Sequence, residues 1–327
     1  MEIAMNLSLY DLVLELTNDC ALRCIHCYCA GAQEKVFLPY ETIESIINQS
    51  YELGVLRLTF TGGEALYHPN ICEILDYAKK KGFYINILSS LYKVENSSIC
   101  SVMKNCNELG VSVYGATAEI HEAITGVSGS FDDTLKRISQ LQDSNIRITA
   151  NITILEQNMN HINGIIELAT KLEINYRLNF RIFNNIHSAV RCNATANRDV
   201  LIRNLAVKWN SILQTQKQYN IMCIAGLRKL WVDTSLDVYP CIFFRKRVGN
   251  LATSSLKDIY LNSEYLSYLK NISDNDFLHC KNCNYRSCCH PCVGENYSEH
   301  QDITVPSKYN CYVGEIFYES VKHKATV

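Results

Sequence analysis

The sequence predicts an α/β protein built on a parallel sheet and followed by a smaller cysteine-rich region. Apolar, β-rich runs alternate six times with amphipathic stretches between residue 12 and about residue 220. Such alternation is typical of a parallel sheet covered by helices, either open or rolled towards a barrel. Beyond residue 220, short segments and eight cysteines replace the repeat. The carboxyl ends of the predicted strands are therefore where we expect the chemistry.

Each predicted strand is short and apolar, and each predicted helix has one apolar side. Ile43, Ile46 and Ile47, for example, have the three- and four-residue spacing of a helix face. Gly82 has the position expected just after a helix end. The predicted strands are residues 12–16, 55–60, 83–88, 111–114, 146–155 and 176–182. The predicted helices are residues 40–53, 71–81, 98–107, 131–141, 162–172 and 200–218.

The change of pattern near residue 220 predicts two domains. We expect residues 1–220 to form the repeat-built domain and residues 221–327 to form the smaller one. Segments 229–232 and 237–239 predict a hairpin near the start of the second domain. No linker rich in Gly, Pro or Ser separates the two, so we expect the second to dock firmly on the first.

Composition limits the classes of function. The net charge is −2, so no general field would attract nucleic acid or an anionic membrane. No stretch approaches the roughly 18 apolar residues of a membrane helix, and no signal-peptide cleavage site is visible. A cytoplasmic protein without nucleic-acid or membrane partners is expected. In that reducing compartment the 16 cysteines are expected to bind metal or do redox chemistry rather than form disulfides.

Three cysteines, Cys20, Cys24 and Cys27, follow the first predicted strand as a C-x3-C-x2-C array. Thiolates bind soft or borderline metals, and four of them normally close a structural site. Three thiolates leave one metal position open for a non-protein ligand, as in a [4Fe–4S] cluster with one free iron. A zinc site with Cys29 as the fourth ligand is the alternative, although Cys29 follows Cys27 closely for the same metal.

This array, at the end of strand one of a six-fold βα repeat, resembles the radical S-adenosylmethionine (SAM) superfamily. The triplet His26-Cys27-Tyr28 is similar to the branch that modifies peptides. The resemblance implies a partial (β/α)6 TIM-type barrel and a [4Fe–4S] cluster on the three cysteines, whose open iron binds SAM. An electron from the reduced cluster would then cleave SAM to a 5′-deoxyadenosyl radical, which removes hydrogen from an unactivated carbon.

Other strand ends resemble the superfamily's SAM-binding motifs. A Gly-Gly-Glu triplet follows the second strand, where glycines permit close approach and Glu64 can accept bonds from the ammonium group of SAM. On strand four, Ser112 would reach the ribose or carboxylate of SAM. The resemblance and these positions give six candidate cofactor-binding residues: Gly62, Gly63, Glu64, Ser89, Ser112 and Asn151.

The C-terminal cysteines resemble the SPASM domain, a small cysteine-rich α+β module with two auxiliary [4Fe–4S] clusters. Their core reads C-x2-C-x5-C-x2-C or C-x2-C-x4-C-x3-C, because Cys288 and Cys289 are adjacent. The resemblance implies an inner cluster on three residues: Cys223, Cys241 and Cys292. It implies an outer cluster on four residues: Cys280, Cys283, Cys311 and either Cys289 or Cys288. The inner cluster then has an open iron or takes the remaining member of the Cys288/Cys289 pair.

The two resemblances together imply an enzyme that modifies a ribosomally made peptide by a thioether or carbon–carbon cross-link, or by epimerisation. Cys192, after strand six on the active face, is a candidate hydrogen-atom donor. A flavodoxin or ferredoxin-type protein is the expected reductant. Related maturases often carry an N-terminal recognition domain, and Cys20 lies early, so we expect a separate peptide-recognition protein or direct binding of the leader to the barrel.

Three alternatives remain from the sequence. One enzyme alternative is maturation of a folded protein, such as formation of formylglycine in a sulfatase. Another is decarboxylation of a tetrapyrrole side chain. An iron–sulfur electron carrier is the non-enzyme alternative, but it leaves the Gly-Gly-Glu triplet without a role.

Overall fold

One sheet of nine strands runs through the residues that the structure describes. The computed structural model describes residues 8–29, 34–179, 181, 223–286, 289 and 291–325. The strands are β1 (Asp11–Thr17), β2 (Arg57–Gly62), β3 (Tyr84–Ser89), β4 (Glu108–Ser112), β5 (Arg147–Thr153), β6 (Asn175–Asn179), β7 (Lys229–Val232), β8 (Asp237–Tyr239) and β9 (Gly249–Asn250). Their order across the sheet is β6-β5-β4-β3-β2-β1-β7-β8-β9.

The first six strands form the predicted parallel repeat. They pair in chain order, and every pair is parallel. Helices connect them: α1 (Tyr40–Glu52), α2 (Ile71–Lys80), α3 (Asn96–Asn105), α4 (Ala118–Thr125), α5 (Ser130–Leu141) and α6 (Ile162–Lys171). The prediction of an α/β fold with a parallel sheet is therefore confirmed.

Two local predictions differ from the structure. Strand β4 starts at Glu108 rather than residue 111, because the Glu108 carboxylate is paired with Arg57 of β2 at 3.2 Å and can enter the sheet. Helix α4 was not predicted, because its eight residues are too short to show a clear period. It ends at Gly126, whose φ of +70° suits the left-handed position after a helix.

The predicted hairpin of β7 and β8 forms, and it extends the same sheet. Strand β7 pairs in parallel with β1, and β8 pairs antiparallel with β7 and with β9. The remaining helices are α7 (Leu256–Asn262), α8 (Glu264–Asn271), α9 (Val293–His300) and α10 (Lys308–Ala325). The predicted helix 200–218 lies outside the described residues, as do residues 180 and 182 of the predicted strand 176–182. The domain boundary near residue 220 stays a prediction.

Strand β1 is buried along its whole length. All seven of its residues are buried, because both edges are paired and both faces are covered. The apolar core continues from this strand into the C-terminal region through Leu230, Val232 and Phe244. In the part of the chain that the structure describes, no helix is both long and apolar enough to cross a membrane.

Phe244 tests how strongly the C-terminal region depends on its own core. Its ring is fully buried and lies 5.1 Å from the Tyr297 ring and 5.8 Å from the Tyr265 ring. We expect Phe244→Ala to lower the free energy of unfolding by about 3–5 kcal/mol, through lost contacts and a cavity. Anaerobic urea unfolding measures this. The exposed Leu261 is the control, because Leu261→Ala should change it by less than about 0.5 kcal/mol, and equal losses would contradict the assignment.

Candidate active site

The thiols of Cys20, Cys24 and Cys27 lie together in the loop after β1, at the carboxyl end of the sheet. Burial, with smaller contributions from the charges of Glu64 and Cys27, raises the pKa of Cys20 to about 12. Burial also raises the pKa of Cys24, as do Cys27 and Cys20. The thiols of Cys20 and Cys24 therefore stay protonated unless a cation binds beside them. That donor set suits an iron–sulfur cluster, whose ligands are thiolates.

Helix α4 anchors one side of this cluster loop, residues 18–29. The backbone N–H of Arg23 donates to Thr125 O at 2.8 Å, and that of Ile25 donates to Ile124 O at 3.0 Å. Gly126 follows directly, and a Cβ there would lie 2.9 Å from Arg23 O. Gly126 is the one sequence signal for this anchor, because glycine often follows the end of a helix. The sequence does not show that the helix contacts the cluster loop.

The Gly-Gly-Glu turn anchors the other side. The N–H of Gly63 donates to Thr17 O at 2.7 Å, and the N–H of Glu64 donates to Asp19 O at 2.7 Å. A Cβ on Gly62 would overlap Thr17 O, and one on Gly63 would overlap Asp19 O. The glycines therefore let this turn lie directly against the cluster loop. Their contact with SAM itself stays a prediction.

Glu64 is fully buried, and both of its carboxylate oxygens are occupied. Its Oε1 accepts from Ser89 Oγ at 2.7 Å and from the N–H of Leu66 at 3.3 Å. Its Oε2 accepts from the N–H of Ser90 at 2.8 Å and from Ser90 Oγ at 2.7 Å. Burial raises the pKa of Glu64, and these bonds act against that increase. An ammonium group would have to share or replace one of these four donors.

Ser89 and Ser90 thus form the base of the Glu64 site. The hydroxyl of Ser89, predicted to contact SAM, points at Glu64 in this structure. Ser90 was not among the predicted site residues, although it contributes two of the four bonds. The adjacent serines were the sequence signal, but their common partner lies 25 and 26 residues away in the chain.

Ser112 and Asn151 face each other on β4 and β5. They are register partners, and the Asn151 amide covers Gly110, where a side chain would collide with it. The hydroxyl of Ser112 bonds the phenol of Tyr114. Ser112 is therefore linked to the cluster loop, because the Tyr114 ring packs edge-on against the His26 ring at a centroid distance of 4.9 Å.

His26 supplies a buried atom that no described residue satisfies. Its Nδ1 is buried without a hydrogen-bond partner in the described part of the chain. Burial lowers the pKa of His26 to about 4, so the ring is neutral near pH 7. A buried polar atom is expected to have a partner, so this atom is free for a ligand or for water beside the three thiols. The residues present therefore fit a cluster with a bound cofactor.

A buried carboxylate connects the cluster loop to the C-terminal hairpin. Trp231 Nε1 donates to Glu15 Oε1 at 2.5 Å, and Arg245 Nη2 lies 3.3 Å from the same oxygen. The Tyr28 ring packs edge-on against the Trp231 ring. The Arg245 guanidinium lies 5.7 Å from the centroid of the Tyr28 ring. Burial raises the pKa of Glu15 to about 7, against the opposing effects of Arg245 and Trp231. No sequence pattern pairs Glu15 with Trp231 or Arg245, because they lie 216 and 230 residues away in the chain.

The structure brings the C-terminal cysteines together as two sets. Burial, with smaller contributions from the nearby thiols of Cys223 and Cys292, raises the pKa of Cys241 to about 12. A second set surrounds Cys289, whose pKa burial raises to about 11, with contributions from Cys280, Cys311 and Cys283. Cys288 and Cys192 lie outside the described residues.

Small residues make room for both sets. Gly294, at the start of α9, lies directly against the backbone of Phe243, beside Cys241. Gly314 on α10 leaves space for Cys289, whose Sγ lies 3.0 Å from where a Cβ would be. No group of three or more His, Cys, Asp or Glu side chains in the described ranges is arranged to hold a metal ion directly. Ligands of a four-iron cluster lie farther apart than those of one zinc ion, and an all-thiol set suits iron–sulfur ligation.

Two family models match this chain, and together they cover both regions. The radical SAM superfamily model matches residues 14–169, and the model of an iron–sulfur cluster-binding domain, SPASM, matches residues 223–284. The chain belongs to the radical SAM superfamily. It is a radical SAM enzyme with a SPASM domain, which implies iron–sulfur clusters and SAM as cofactors.

Two curated relatives show how far the similarity extends. The antilisterial bacteriocin subtilosin biosynthesis protein AlbA of Bacillus subtilis is 27% identical over 261 residues. That match covers 75% of this chain but only 58% of AlbA. The AdoMet-dependent heme synthase of Methanosarcina barkeri is 24% identical over 333 residues, covering 91% of this chain and 95% of the relative.

Solved structures share the fold at low identity. Streptococcus suis SuiB bound to the precursor peptide SuiA has a TM-score of 0.70 at 16% identity, covering 93% of this chain and 76% of SuiB. Native anSMEcpe with bound AdoMet has a TM-score of 0.77 at 16% identity, covering 96% and 97% of the two chains. The parallel sheet of this radical SAM enzyme is therefore of the superfamily's type, consistent with the predicted partial barrel and cysteine-rich C-terminal region.

Gly63→Ala tests the contact between the Gly-Gly-Glu turn and the cluster loop. The new Cβ would overlap Asp19 O, so the loop must shift. We expect a loss of about 1–3 kcal/mol in unfolding free energy, together with less iron retained in the loop. Thermal unfolding and an iron assay measure the two effects. Gly164→Ala in α6 is the matched control, because its Cβ meets nothing closer than 3.4 Å, and it should retain full iron content.

The raised pKa of Glu15 predicts that the free energy of unfolding depends on pH. Its pKa of about 7 lies above the ordinary value of 4.5, so the folded chain binds this proton more tightly than the unfolded chain does. The resulting stabilisation is complete below about pH 4.5 and is lost as the pH rises through about 7, with a range of about 3 kcal/mol.

We expect Glu15→Gln to remove this part of the pH dependence. The measurement is urea unfolding of wild type and variant across that pH range. Glu52→Gln, at an exposed position in α1, is the control and should keep the wild-type slope. Identical slopes for wild type and Glu15→Gln would contradict the assignment.

Proposed function

We propose that this radical SAM enzyme modifies a ribosomally synthesised peptide, by a thioether or carbon–carbon cross-link or by epimerisation. The observation that carries the proposal is the similarity to AlbA, a biosynthesis protein of the bacteriocin subtilosin, at 27% identity over 75% of this chain. SuiB, which shares the fold, has been solved with a precursor peptide. The match covers only 58% of AlbA, so the proposal does not include the whole activity of AlbA.

Three iron–sulfur clusters are proposed, one for each set of thiols that the structure brings together. Cys20, Cys24 and Cys27 would hold the SAM-binding cluster. The inner auxiliary cluster would be held by Cys223, Cys241 and Cys292. The outer one would be held by four residues, with Cys288 as the alternative to Cys289: Cys280, Cys283, Cys289 and Cys311. When bound, the cluster and SAM supply a radical able to remove hydrogen from an unactivated carbon.

The chain's own residues would bind SAM and exclude water. Glu64, held by Ser89 and Ser90, would accept from the SAM ammonium group in exchange for one of its present donors. Gly62 and Gly63 would keep this carboxylate against the cluster loop. Ser112 and Asn151 would contact the remainder of SAM from β4 and β5. The buried Tyr114 ring and the half-buried His26 ring would close the site to water.

An extended peptide would pair with an edge strand of the incomplete barrel. Among the described strands, β6 stands last in the sheet order, next to β5. Asn175 and Tyr176 at its start are exposed. Main-chain hydrogen bonds along such an edge would bind a peptide with little dependence on its side chains.

The proposed reaction also needs a reductant, a means of binding the peptide leader and a hydrogen-atom donor. A flavodoxin or ferredoxin-type protein would supply the electron. A separate recognition protein, or the barrel itself, would bind the peptide leader. Cys192 is proposed as a hydrogen-atom donor, and it lies outside the described residues.

Haem synthesis is a second candidate function. The match to the AdoMet-dependent heme synthase of Methanosarcina barkeri covers nearly the full length of both chains, at 24% identity. In this case the substrate would be a tetrapyrrole with carboxylate side chains. The electron released by decarboxylation would leave through the auxiliary clusters.

The test is coexpression with each small peptide gene that neighbours this one, followed by mass spectrometry. We expect a peptide to lose two hydrogen atoms if it is cross-linked, or to keep its mass if it is epimerised. Deuterium from a labelled peptide carbon should appear in 5′-deoxyadenosine. A carbon dioxide loss from a haem precursor, with no change in any peptide, would favour the second candidate.

Two sets of variants control this test. Alanine at Cys20, Cys24 and Cys27 should abolish 5′-deoxyadenosine formation under dithionite. Alanine at Cys280 and Cys283 should leave SAM cleavage but remove the peptide product. Formation of 5′-deoxyadenosine by the triple variant would reject the assignment of the SAM-binding cluster.

A further inference from the structure

Arg181, just beyond β6, binds two helices of the C-terminal region. Its Nη1 lies 3.0 Å from Glu295 Oε2 on α9 and donates to Asn310 Oδ1 on α10 at 2.8 Å. The side chains of Arg181 and Glu295 are only 23% and 14% exposed. A guanidinium held by two partners in a partly buried place has a fixed position, unlike a surface cation.

The same two partners hold the backbone of Cys292. Asn310 accepts from the Cys292 N–H at 3.0 Å and donates to the Cys292 carbonyl at 2.9 Å. The N–H of Glu295 donates to that carbonyl at 3.1 Å. Arg181 is therefore attached to the segment that positions one of the proposed inner-cluster ligands.

The positive charge of Arg181 lies near thiols of both C-terminal sets. It interacts with Cys223 and Cys292 of the inner set and with Cys289 of the outer set. The Glu295 carboxylate, 3.0 Å from Arg181, brings a negative charge to the same place and interacts with Cys292.

Two other cations of the described residues lie near these thiols, and each acts mainly on one set. Lys229 acts on Cys223 and Cys241, and it is paired with Asp11 at 3.2 Å. Arg286 acts on Cys280. Arg181 differs from both because its charge acts on members of the two sets at once.

We propose that Arg181 is a charge-setting and positioning residue for the auxiliary iron–sulfur clusters, placed where its fixed cation raises their reduction potential. This inference rests on the cluster assignment in the proposed function. A cluster gains one negative charge when it accepts one electron, so a nearby fixed cation stabilises the reduced form. Glu295, beside Cys292, works in the opposite direction, and the Arg181–Glu295 pair therefore sets the balance.

The experiment measures potentials in the full chain with alanine at Cys20, Cys24 and Cys27, which removes the SAM-binding cluster. Electron paramagnetic resonance follows a redox titration without SAM or peptide. We expect Arg181→Gln to lower at least one midpoint potential and Arg181→Lys to stay near the parent. Glu295→Gln should raise a midpoint potential. Arg177→Gln, at an exposed position on β6, is the matched control and should change nothing.

A merely structural role for Arg181 would not give shifts of opposite sign in the two neutral variants. An unchanged or raised potential in Arg181→Gln overturns the proposal. If Arg181→Gln fails to retain iron, Glu295→Gln decides: an upward shift supports the proposal, and no shift overturns it.

The failure of the proposed function has a different signature. If the parent chain binds no auxiliary iron, the cluster assignment fails and this inference fails with it. If the potentials shift as expected but no peptide is modified, only the peptide substrate is rejected.

Discussion

Strand β1 is the constraint on which the rest of this structure depends. It pairs with β2 on one side and with β7 on the other, so it has no free edge and no exposed face. Two acidic residues lie within it, and each must find partners. Asp11 accepts from Thr59 at 3.0 Å and pairs with Lys229 at 3.2 Å, while Glu15 binds Trp231 and Arg245. An unpaired buried carboxylate would cost several kcal/mol, on the order expected for an isolated buried charge.

This arrangement decides where the cluster loop can lie. The loop leaves the carboxyl end of β1 between the radical SAM repeat and the C-terminal hairpin. Helix α4 holds it from one side and the Gly-Gly-Glu turn from the other, while Tyr28 packs against Trp231. The three thiols are thus placed by backbone hydrogen bonds from segments that are distant in sequence. A change in the position of the C-terminal hairpin would therefore shift β1 and the cluster loop that follows it.

Burial gives all three cysteine sets the same electrostatic problem. It raises the pKa of their thiols, and mutual repulsion raises it further, so thiolates need positive charge nearby. Bound iron would supply most of that charge. Arg181, held in place by Glu295 and Asn310, would add a fixed positive charge near both C-terminal sets. The soft ligands would thus be accompanied by a cation that does not depend on the metal.

The sequence by itself determined the α/β repeat, the parallel sheet and the superfamily, because periodicity and cysteine spacing are local properties. The ligand sets of the C-terminal cysteines stay a prediction, although the thiols near Cys241 and those near Cys289 lie close to one another. Only the tertiary structure decided that Ser90 donates a hydrogen bond to Glu64 and that Trp231 donates one to Glu15. It also placed Arg181 near both sets of C-terminal cysteines, where it binds Glu295. The physical reason is that a buried charge must be paired, and its partner can come from any segment that the fold brings close, here up to 230 residues away.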